Sequence, residues 1–363
     1  MFKKISEGDI YSIKEMDRVA AGSRTAVLPD GRLACTFNIQ TEIGSNDFAP
    51  MISYSDDGEE WSAAEYLWPE FIGKKSIFAS LRKTLDGRVC IAGFCTPIKV
   101  AGESFWSDEI GGMLENKLFF SISEDGYHFP PFTEVELPYY GSAENPGGML
   151  VDRDGTIYLL YSPYRAIEMR EDTDTCQMVL MKSTDGGKTF TASTVAKAEP
   201  PCQYGEAWVI RLSDNAHMIS TWQTARIEGS DQYLLSYDGA KSFSGPYLMP
   251  FNGQTTALEA YDDGQVLVIY NQRKEQPAGV WLALAKPDLE GFHMIANECI
   301  WQAGIATNNQ TSGDFDDWTD FAFGEPQVTL LPNGDILACL WYDQGPNNKG
   351  IRFVKLRIEK ETA

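Results

Sequence analysis

The chain has 363 residues, 12% of them aromatic, with 32 Gly, 18 Pro and a formal net charge of -22. This composition is typical of many short strands joined by tight turns. The acidic excess argues against nucleic acid or an anionic membrane as a partner, because either needs a basic face. No stretch approaches the ~18 consecutive apolar residues of a membrane helix, and residues 1–15 lack the apolar run of a signal peptide. We therefore expect a cytoplasmic protein.

The cysteines support the same expectation. They are odd in number and have no metal-ligand spacing, and the three histidines also lack such spacing. The cysteines are Cys35, Cys90, Cys95, Cys176, Cys202, Cys299 and Cys339. We expect buried, reduced thiols, as in a reducing compartment, and neither a metal ion nor another cofactor.

Six two-residue turns, each flanked by apolar segments, divide the chain. Turns of this composition favour tight β-hairpins. They are Asp30-Gly31, Asp86-Gly87, Asp154-Gly155, Asp214-Asn215, Asp263-Gly264 and Asn333-Gly334. Their intervals of about 50 to 70 residues suit four short strands plus loops. The sequence therefore predicts an all-β fold, a six-bladed β-propeller with four-stranded antiparallel blades, in one domain over residues 1–363.

The two ends of the sequence both alternate like strands. Residues 8–14 and 351–358 have this period of two. Because a propeller must close its ring, we expect these strands to pair in one blade. Two long segments, 96–117 and 301–319, lack the alternating pattern of strands. Long loops without such a pattern often form functional rims or are insertions.

A second pattern recurs after each of the first four hairpins. Its clearest copy is Ser183-Thr184-Asp185-Gly186-Gly187-Lys188-Thr189-Phe190, and looser copies occupy residues 54–61, 122–129 and 236–243. An Asp and a Gly after an apolar run, closed by an aromatic residue, suit a turn whose tip is held against the sheet. The pattern resembles the Asp box, or BNR repeat, of the sialidase superfamily. It predicts a turn between the outer two strands of blades one to four, with a decayed copy at residues 287–292.

Candidate catalytic residues follow from position on the inner strands. The innermost strand of each blade begins near the central axis, so residues at a fixed distance before each hairpin turn should converge. Counting back nine from the second turn residue gives Glu206 and Glu325 in blades four and six. In the other blades the count gives Gly22, Phe78, Pro146 and Thr255. A carboxylate at the start of a buried strand is costly unless it is paired. Each Glu therefore either belongs to an active site, or caps a turn or meets a structural arginine.

The resemblance to sialidases implies roles for these residues. Sialidases are similar six-bladed propellers with an arginine triad, a Tyr nucleophile polarised by a Glu, and an Asp acid/base on a blade-one loop. Glu206 matches the Glu of that family, and Asp47 looks like the acid/base. The sequence departs at the nucleophile, where Glu325 replaces Tyr, and at the first arginine, where Ala21-Gly22 stands. A second carboxylate would repel the anomeric carboxylate of sialic acid, so the departure favours a neutral sugar or a uronic acid.

We therefore predict a glycoside hydrolase that cleaves a terminal sugar and is not a standard sialidase. Glu325 is the expected nucleophile or base, Asp47 the general acid, and Glu206 the partner that orients or tunes them. The alternatives are an exo-α-sialidase, a non-catalytic glycan-binding propeller, and a uronate lyase. In each case the expected partner is a carbohydrate, and the oligomeric state stays open.

Other side chains near the axis are candidates for sugar binding. Arginines on or just after the inner hairpins offer a planar fork for a carboxylate, and aromatic rings offer stacking platforms. The candidate arginines are Arg24, Arg82, Arg165, Arg226 and Arg273. The candidate aromatic residues are Tyr204, Trp208, Trp318, Tyr164 and Trp222.

Overall fold

The computed structural model describes residues 1–14, 18–145, 147–168, 173–223, 230–307 and 318–359. Their strands form six sheets. Strand β1 (Phe2–Ser12) belongs to the sixth sheet. The first sheet contains β2 (Val19–Val27), β3 (Leu33–Gln40), β4 (Ala49–Ser55) and β5 (Glu65–Tyr66), and a 3-10 turn follows at Pro69–Phe71. The second contains β6 (Lys75–Lys83), β7 (Val89–Pro97), β10 (Lys117–Ser123) and β11 (Thr133–Val135). An insertion between β7 and β10 forms the short strands β8 (Trp106–Ser107) and β9 (Gly112–Met113).

The remaining sheets follow in chain order. The third contains β8 and β9 together with β12 (Ser142–Glu144), β13 (Met149–Val151), β14 (Ile157–Ala166), β15 (Gln177–Ser183) and β16 (Thr191–Lys197). The fourth contains β17 (Tyr204–Arg211), β18 (His217–Gln223), β19 (Gln232–Ser236) and β20 (Ser244–Leu248). The fifth contains β21 (Gln254–Ala260), β22 (Val266–Gln272), β23 (Gly279–Pro287) and β24 (Phe292–Gln302). After a 3-10 turn at Trp318–Asp320, the sixth contains β25 (Phe323–Leu330), β26 (Ile336–Asp343), β27 (Lys349–Ile358) and β1.

The inner strands of neighbouring sheets pack side by side. Strand β25 contacts β2 and β21, β2 contacts β6, and β17 contacts β13 and β21. A hydrogen bond joins the second sheet to the third: the Leu85 N–H donates to the Val151 carbonyl at 2.8 Å. The sheets therefore close into a ring, and the fold is a β-propeller.

The predicted count of six four-stranded blades is wrong, because five sheets have that form and the third does not. Its inner segment is broken into β12 and β13, which pair with opposite ends of β14. Strand β9 then adds to β14 as a parallel neighbour and brings β8 with it. The third sheet thus has seven strands, four of which are inner or inserted fragments that a count of hairpins does not reveal.

The predicted hairpin turns lie where the sequence suggests. Each joins the inner strand of one sheet to the next strand, and Gly31, Gly87, Gly155, Gly264 and Gly334 all have positive φ there. The expected pairing of the chain ends is also confirmed, because β1 pairs antiparallel with β27, with Gly8 opposite Phe353.

The four Asp-Gly turns of the second pattern share one set of hydrogen bonds. In the clearest copy, Ser183 Oγ donates to Asp185 Oδ1 at 2.8 Å, and Asp185 Oδ1 also accepts the backbone N–H groups of Lys188 and Thr189. Equivalent Ser–Asp pairs are Ser55 with Asp57, Ser123 with Asp125 and Ser236 with Asp238. These turns connect the outer two strands of their sheets. Asp288 caps a related turn in the fifth sheet through the N–H groups of Glu290 and Gly291.

Apolar side chains fill the spaces between adjacent sheets. The largest cluster joins the fourth, fifth and sixth sheets, and four smaller clusters occupy the remaining spaces. All seven cysteines are free thiols, five of them buried and Cys176 and Cys299 partly exposed. In the described part of the chain, no helix is long and apolar enough to cross a membrane.

Candidate active site

Four of the six predicted convergence points are β-bulges on the inner strands. Four inner strands shift register at this position, between Ala21 and Arg24 in β2, for example, and between Gly324 and Gln327 in β25. Gly22, Glu206 and Glu325 occupy equivalent places in three of these bulges, with φ of 66°, 46° and 43°. A bulge re-aims a side chain, and a non-glycine residue in the left-handed region costs about 1 kcal/mol and is typical of functional sites.

Three carboxyl groups meet near the axis. Glu144, from the third sheet, accepts the backbone N–H of Glu206 with its Oε2 at 2.9 Å. Trp222 donates its indole N–H to Glu206 Oε2, also at 2.9 Å, and so fixes this carboxylate. Glu325 lies close enough for the charge of Glu206 to act on it. The structure thus places the two sequence-predicted glutamates together and adds a third.

Burial changes the proton affinity of this cluster. It raises the pKa of Glu325 to about 7; the Arg24 cation opposes the rise and the Glu206 carboxylate adds to it. Burial, and next the charge of Glu206, raise the pKa of Glu144 well above its ordinary value. The Glu325 side chain keeps 17% of its surface exposed. A carboxyl group that solvent reaches and that titrates near neutral pH can therefore exchange a proton with a ligand.

Two buried arginines, Arg24 and Arg273, lie close to the carboxyl groups. Arg24 is 1% exposed, donates to the carbonyls of Ser23 and Glu325, and approaches Glu325 Oε1 to 4.0 Å. Arg273 donates to Gln254 Oε1 and the Phe323 carbonyl and stacks on Phe321 at 3.7 Å. Burial lowers the pKa of Arg273 to about 9, although the charges of Glu206 and Glu325 oppose this change.

The other predicted arginines lie in different environments. Arg82 donates to the carbonyls of Gly147, Met149 and Val209, and so connects the second, third and fourth sheets. Arg165 is exposed at the end of β14, opposite Gly112. Arg226 lies outside the described residues.

Most of the predicted aromatic platforms are packed inside the propeller. Trp208 is 2% exposed between Arg24 and Arg82, whose guanidinium carbons lie 5.4 and 4.5 Å from its ring. Tyr204 is fully buried, and Tyr164 is 6% exposed. Trp222 supports Glu206, as described above. The Trp318 side chain lies outside the described part.

Asp47 lies in the loop between β3 and β4. Its carboxylate accepts the Thr41 backbone N–H at 3.2 Å and the Thr41 hydroxyl at 2.5 Å. It also borders a small cavity shared with Phe48, Tyr66 and Trp68. A role for Asp47 in catalysis stays a prediction.

Sequence reasoning missed Glu144 and Glu259. Glu144 lies two residues before Pro146, the position that the count gave for the third blade, and alternate residues of a strand share a face. A search of that face would have found it. Glu259 lies further along β21, where burial raises its pKa to about 7 against the opposing charge of Arg82. No turn or motif precedes Glu259 to mark it.

The fold is a β-propeller whose inner strands bring together the carboxyl groups of Glu144, Glu206 and Glu325. No protein-family model matches the sequence, and no curated protein does. The chain is similar to a solved protein of unknown function from Dyadobacter fermentans, at 18% identity over 99% of both chains with a TM-score of 0.74.

Two solved glycosidases also share this fold. The NanB sialidase of Streptococcus pneumoniae is 13% identical over 96% of this chain and 70% of its own, with a TM-score of 0.60. The α-L-arabinanase of Penicillium chrysogenum, solved with arabinobiose, is 15% identical over 97% and 98%, with a TM-score of 0.61. The predicted resemblance to sialidases is thus confirmed for the fold.

Proposed function

We propose that the protein is a glycoside hydrolase that cleaves a terminal sugar with carboxyl groups at the propeller axis. The observation that carries the proposal is the meeting of Glu144, Glu206 and Glu325, with a pKa of about 7 for Glu325. Glycoside hydrolysis needs one carboxyl group that donates a proton and one carboxylate that attacks or activates water.

The environments of the carboxyl groups suggest their roles. Glu325 holds or releases a proton near neutral pH, as an acid/base must. Glu206 is fixed by the Trp222 N–H and is the partner carboxylate. Glu144 binds the Glu206 backbone. Burial, and next the charge of Glu206, raise the pKa of Glu144, which favours its neutral form and so limits repulsion within the cluster. Asp47 stays a candidate for the general acid.

We propose a sugar other than a standard sialoside. Arg24, Arg82 and Arg273 each donate to backbone carbonyls of neighbouring strands. Their guanidinium groups therefore hold the fold together. A cluster of carboxyl groups also repels an anionic substituent at the reacting carbon. The arabinanase neighbour, solved with arabinobiose, supports a neutral sugar. The sialidase neighbours favour an exo-α-sialidase as the second candidate. A single domain and a cytoplasmic location are further proposals.

A panel of fluorogenic glycosides tests the proposal. It contains α-L-arabinofuranoside, β-D-xyloside, β-D-galactoside, β-D-glucuronide and α-sialoside, and the enzyme is expected to cleave one of the neutral members or the glucuronide. Glu325→Gln should lower kcat by at least about a hundredfold, whereas Glu290→Gln, on an exposed outer turn, should leave it unchanged.

Each alternative gives a different result. Sialoside cleavage that Arg24→Ala abolishes would identify a sialidase. A product of a uronate polymer that absorbs in the near ultraviolet would identify a lyase. Glycan binding that survives both Glu206→Gln and Glu325→Gln, with no turnover of the panel, would identify a binding module.

A further inference from the structure

The insertion between β7 and β10 bridges two parts of the site. We call its residues 98–116 the strap; they include β8 and β9. The sequence pattern left this segment without a strand assignment. Its contacts reach the loop that carries Asp47 on one side and the third sheet, which carries Glu144, on the other.

One end of the strap is bound to the blade-one loop. The Asn46 N–H donates to the Glu103 carbonyl at 2.8 Å, and the Phe105 N–H donates to the Gly44 carbonyl at 2.9 Å. The Asn46 side chain adds a bond from Nδ2 to Glu103 Oε1 at 2.8 Å. Asn46 directly precedes Asp47, so the strap fixes the backbone beside this carboxylate.

The other end is bound to the third sheet. Strand β9 lies parallel to the end of β14, with Gly112 opposite Arg165 and Met113 opposite Ala166. The Ile167 N–H then donates to the Met113 carbonyl at 2.8 Å. A side chain at Gly112 would place its Cβ 2.5 Å from the Arg165 carbonyl oxygen, so this close pairing requires glycine.

Between these attachments the strap carries Trp106 over Tyr164. The two rings lie 5.7 Å apart at 70°, and the Trp106 indole N–H donates to Asp108 Oδ1 at 2.7 Å. Tyr164 pairs with Ser142 on the sheet, while Glu144 pairs with Ser162. Because alternate residues share a face, Tyr164 and Glu144 are diagonal neighbours. Tyr164 is buried, whereas part of Trp106 stays exposed.

We infer that Trp106 forms the wall of a subsite for the second sugar ring of the substrate, the ring that leaves when the terminal sugar is cleaved. This inference rests on the proposed function. The partly exposed, hydrogen-bonded Trp106 indole offers an apolar face for the C–H groups of a sugar ring, and Tyr164 places it beside the carboxyl groups. The strap thus determines specificity for the leaving group, and the substrate class is an oligosaccharide.

The test compares two substrates with the same terminal sugar. One is the disaccharide of the sugar that the panel identifies, and the other is its glycosyl fluoride, whose leaving group is too small to reach Trp106. We expect Trp106→Ala to lower kcat/KM for the disaccharide at least tenfold, mainly through KM, and to change the fluoride reaction less than twofold. Trp106→Phe should restore most of the loss. Trp61→Ala, a partly buried tryptophan on the outer part of the first sheet, is the matched control.

Other outcomes overturn the inference. Equal losses for the two substrates would mean that Trp106 only supports the site, and no loss for either would mean that it contacts no sugar. Fluoride turnover without any disaccharide turnover would refute the subsite but leave the hydrolase standing. Turnover of neither substrate, together with unchanged tryptophan fluorescence in 10 mM arabinobiose, xylobiose or lactose, would refute both.

Discussion

Replacing Glu325 by Gln should stabilise the protein in a pH-dependent way. The pKa of Glu325 is about 7 in the folded protein against an ordinary value of 4.5, a difference that corresponds to about 3 kcal/mol of folding free energy. Near pH 4 the carboxyl group is mostly protonated in both the folded and the unfolded chain. As the pH rises to 7, the unfolded chain loses this proton first, so the free energy of unfolding falls. Above pH 7 the full cost of the buried charge remains.

Urea titrations at pH 4 and pH 8 measure this effect. Wild type and Glu325→Gln should differ little at pH 4, because Gln resembles a protonated Glu. At pH 8 the variant should be more stable by up to about 3 kcal/mol. Glu290→Gln, at an exposed position, should show the same difference from wild type at both pH values. A gap between Glu325→Gln and wild type that does not change with pH would refute the assignment of a buried, proton-holding carboxyl group.

Three further substitutions test the site. Glu206→Gly should be about 1 kcal/mol more stable than Glu206→Gln in urea titrations, because only glycine relaxes at this positive φ; equal stabilities would contradict the strain. Gly22→Ala should destabilise by more than about 2 kcal/mol, since its Cβ would lie 2.6 Å from Phe78 Cζ. Gly31→Ala, with open space around it, should cost less, and equal costs would exclude the clash. Arg82→Met should destabilise by about 3 kcal/mol by leaving backbone carbonyls unpaired; a raised KM at unchanged thermal stability would instead indicate substrate binding.

The turn chemistry of this sequence predicts most of the fold. A hairpin turn is local, so five Asp-Gly or Asn-Gly pairs and one Asp-Asn pair between apolar runs locate all six inner hairpins without knowledge of the rest of the chain. The same count gives Glu206 and Glu325, because a bulge at a constant distance from the turn repeats in several sheets. Alternation at both ends of the chain also gives the pairing of β1 with β27.

The parts that sequence did not give depend on long-range contacts. The third sheet is irregular because β9 crosses from the second blade to pair with β14. No local pattern in residues 96–117 predicts that β9 pairs with β14. The break between β12 and β13 moves the inner carboxylate to Glu144, away from the counted position. The side chains of Arg24, Arg82 and Arg273 point towards the backbone carbonyls that they bond on neighbouring sheets. The position of an arginine along its strand does not predict which carbonyls these are.

The pairing of β1 with β27 constrains the order in which this ring assembles during translation. Arg352 bonds to Asp9 across 343 positions of sequence. Because β27 is the strand that β1 pairs with, β1 stays unpaired until β27 has left the ribosome. Loop closure over that distance is slow compared with the formation of the local hairpins. The nascent chain therefore carries β1 without its neighbouring strand through nearly all of its synthesis, and interruption of synthesis before β27 would leave β1 unpaired and the sixth sheet two strands short.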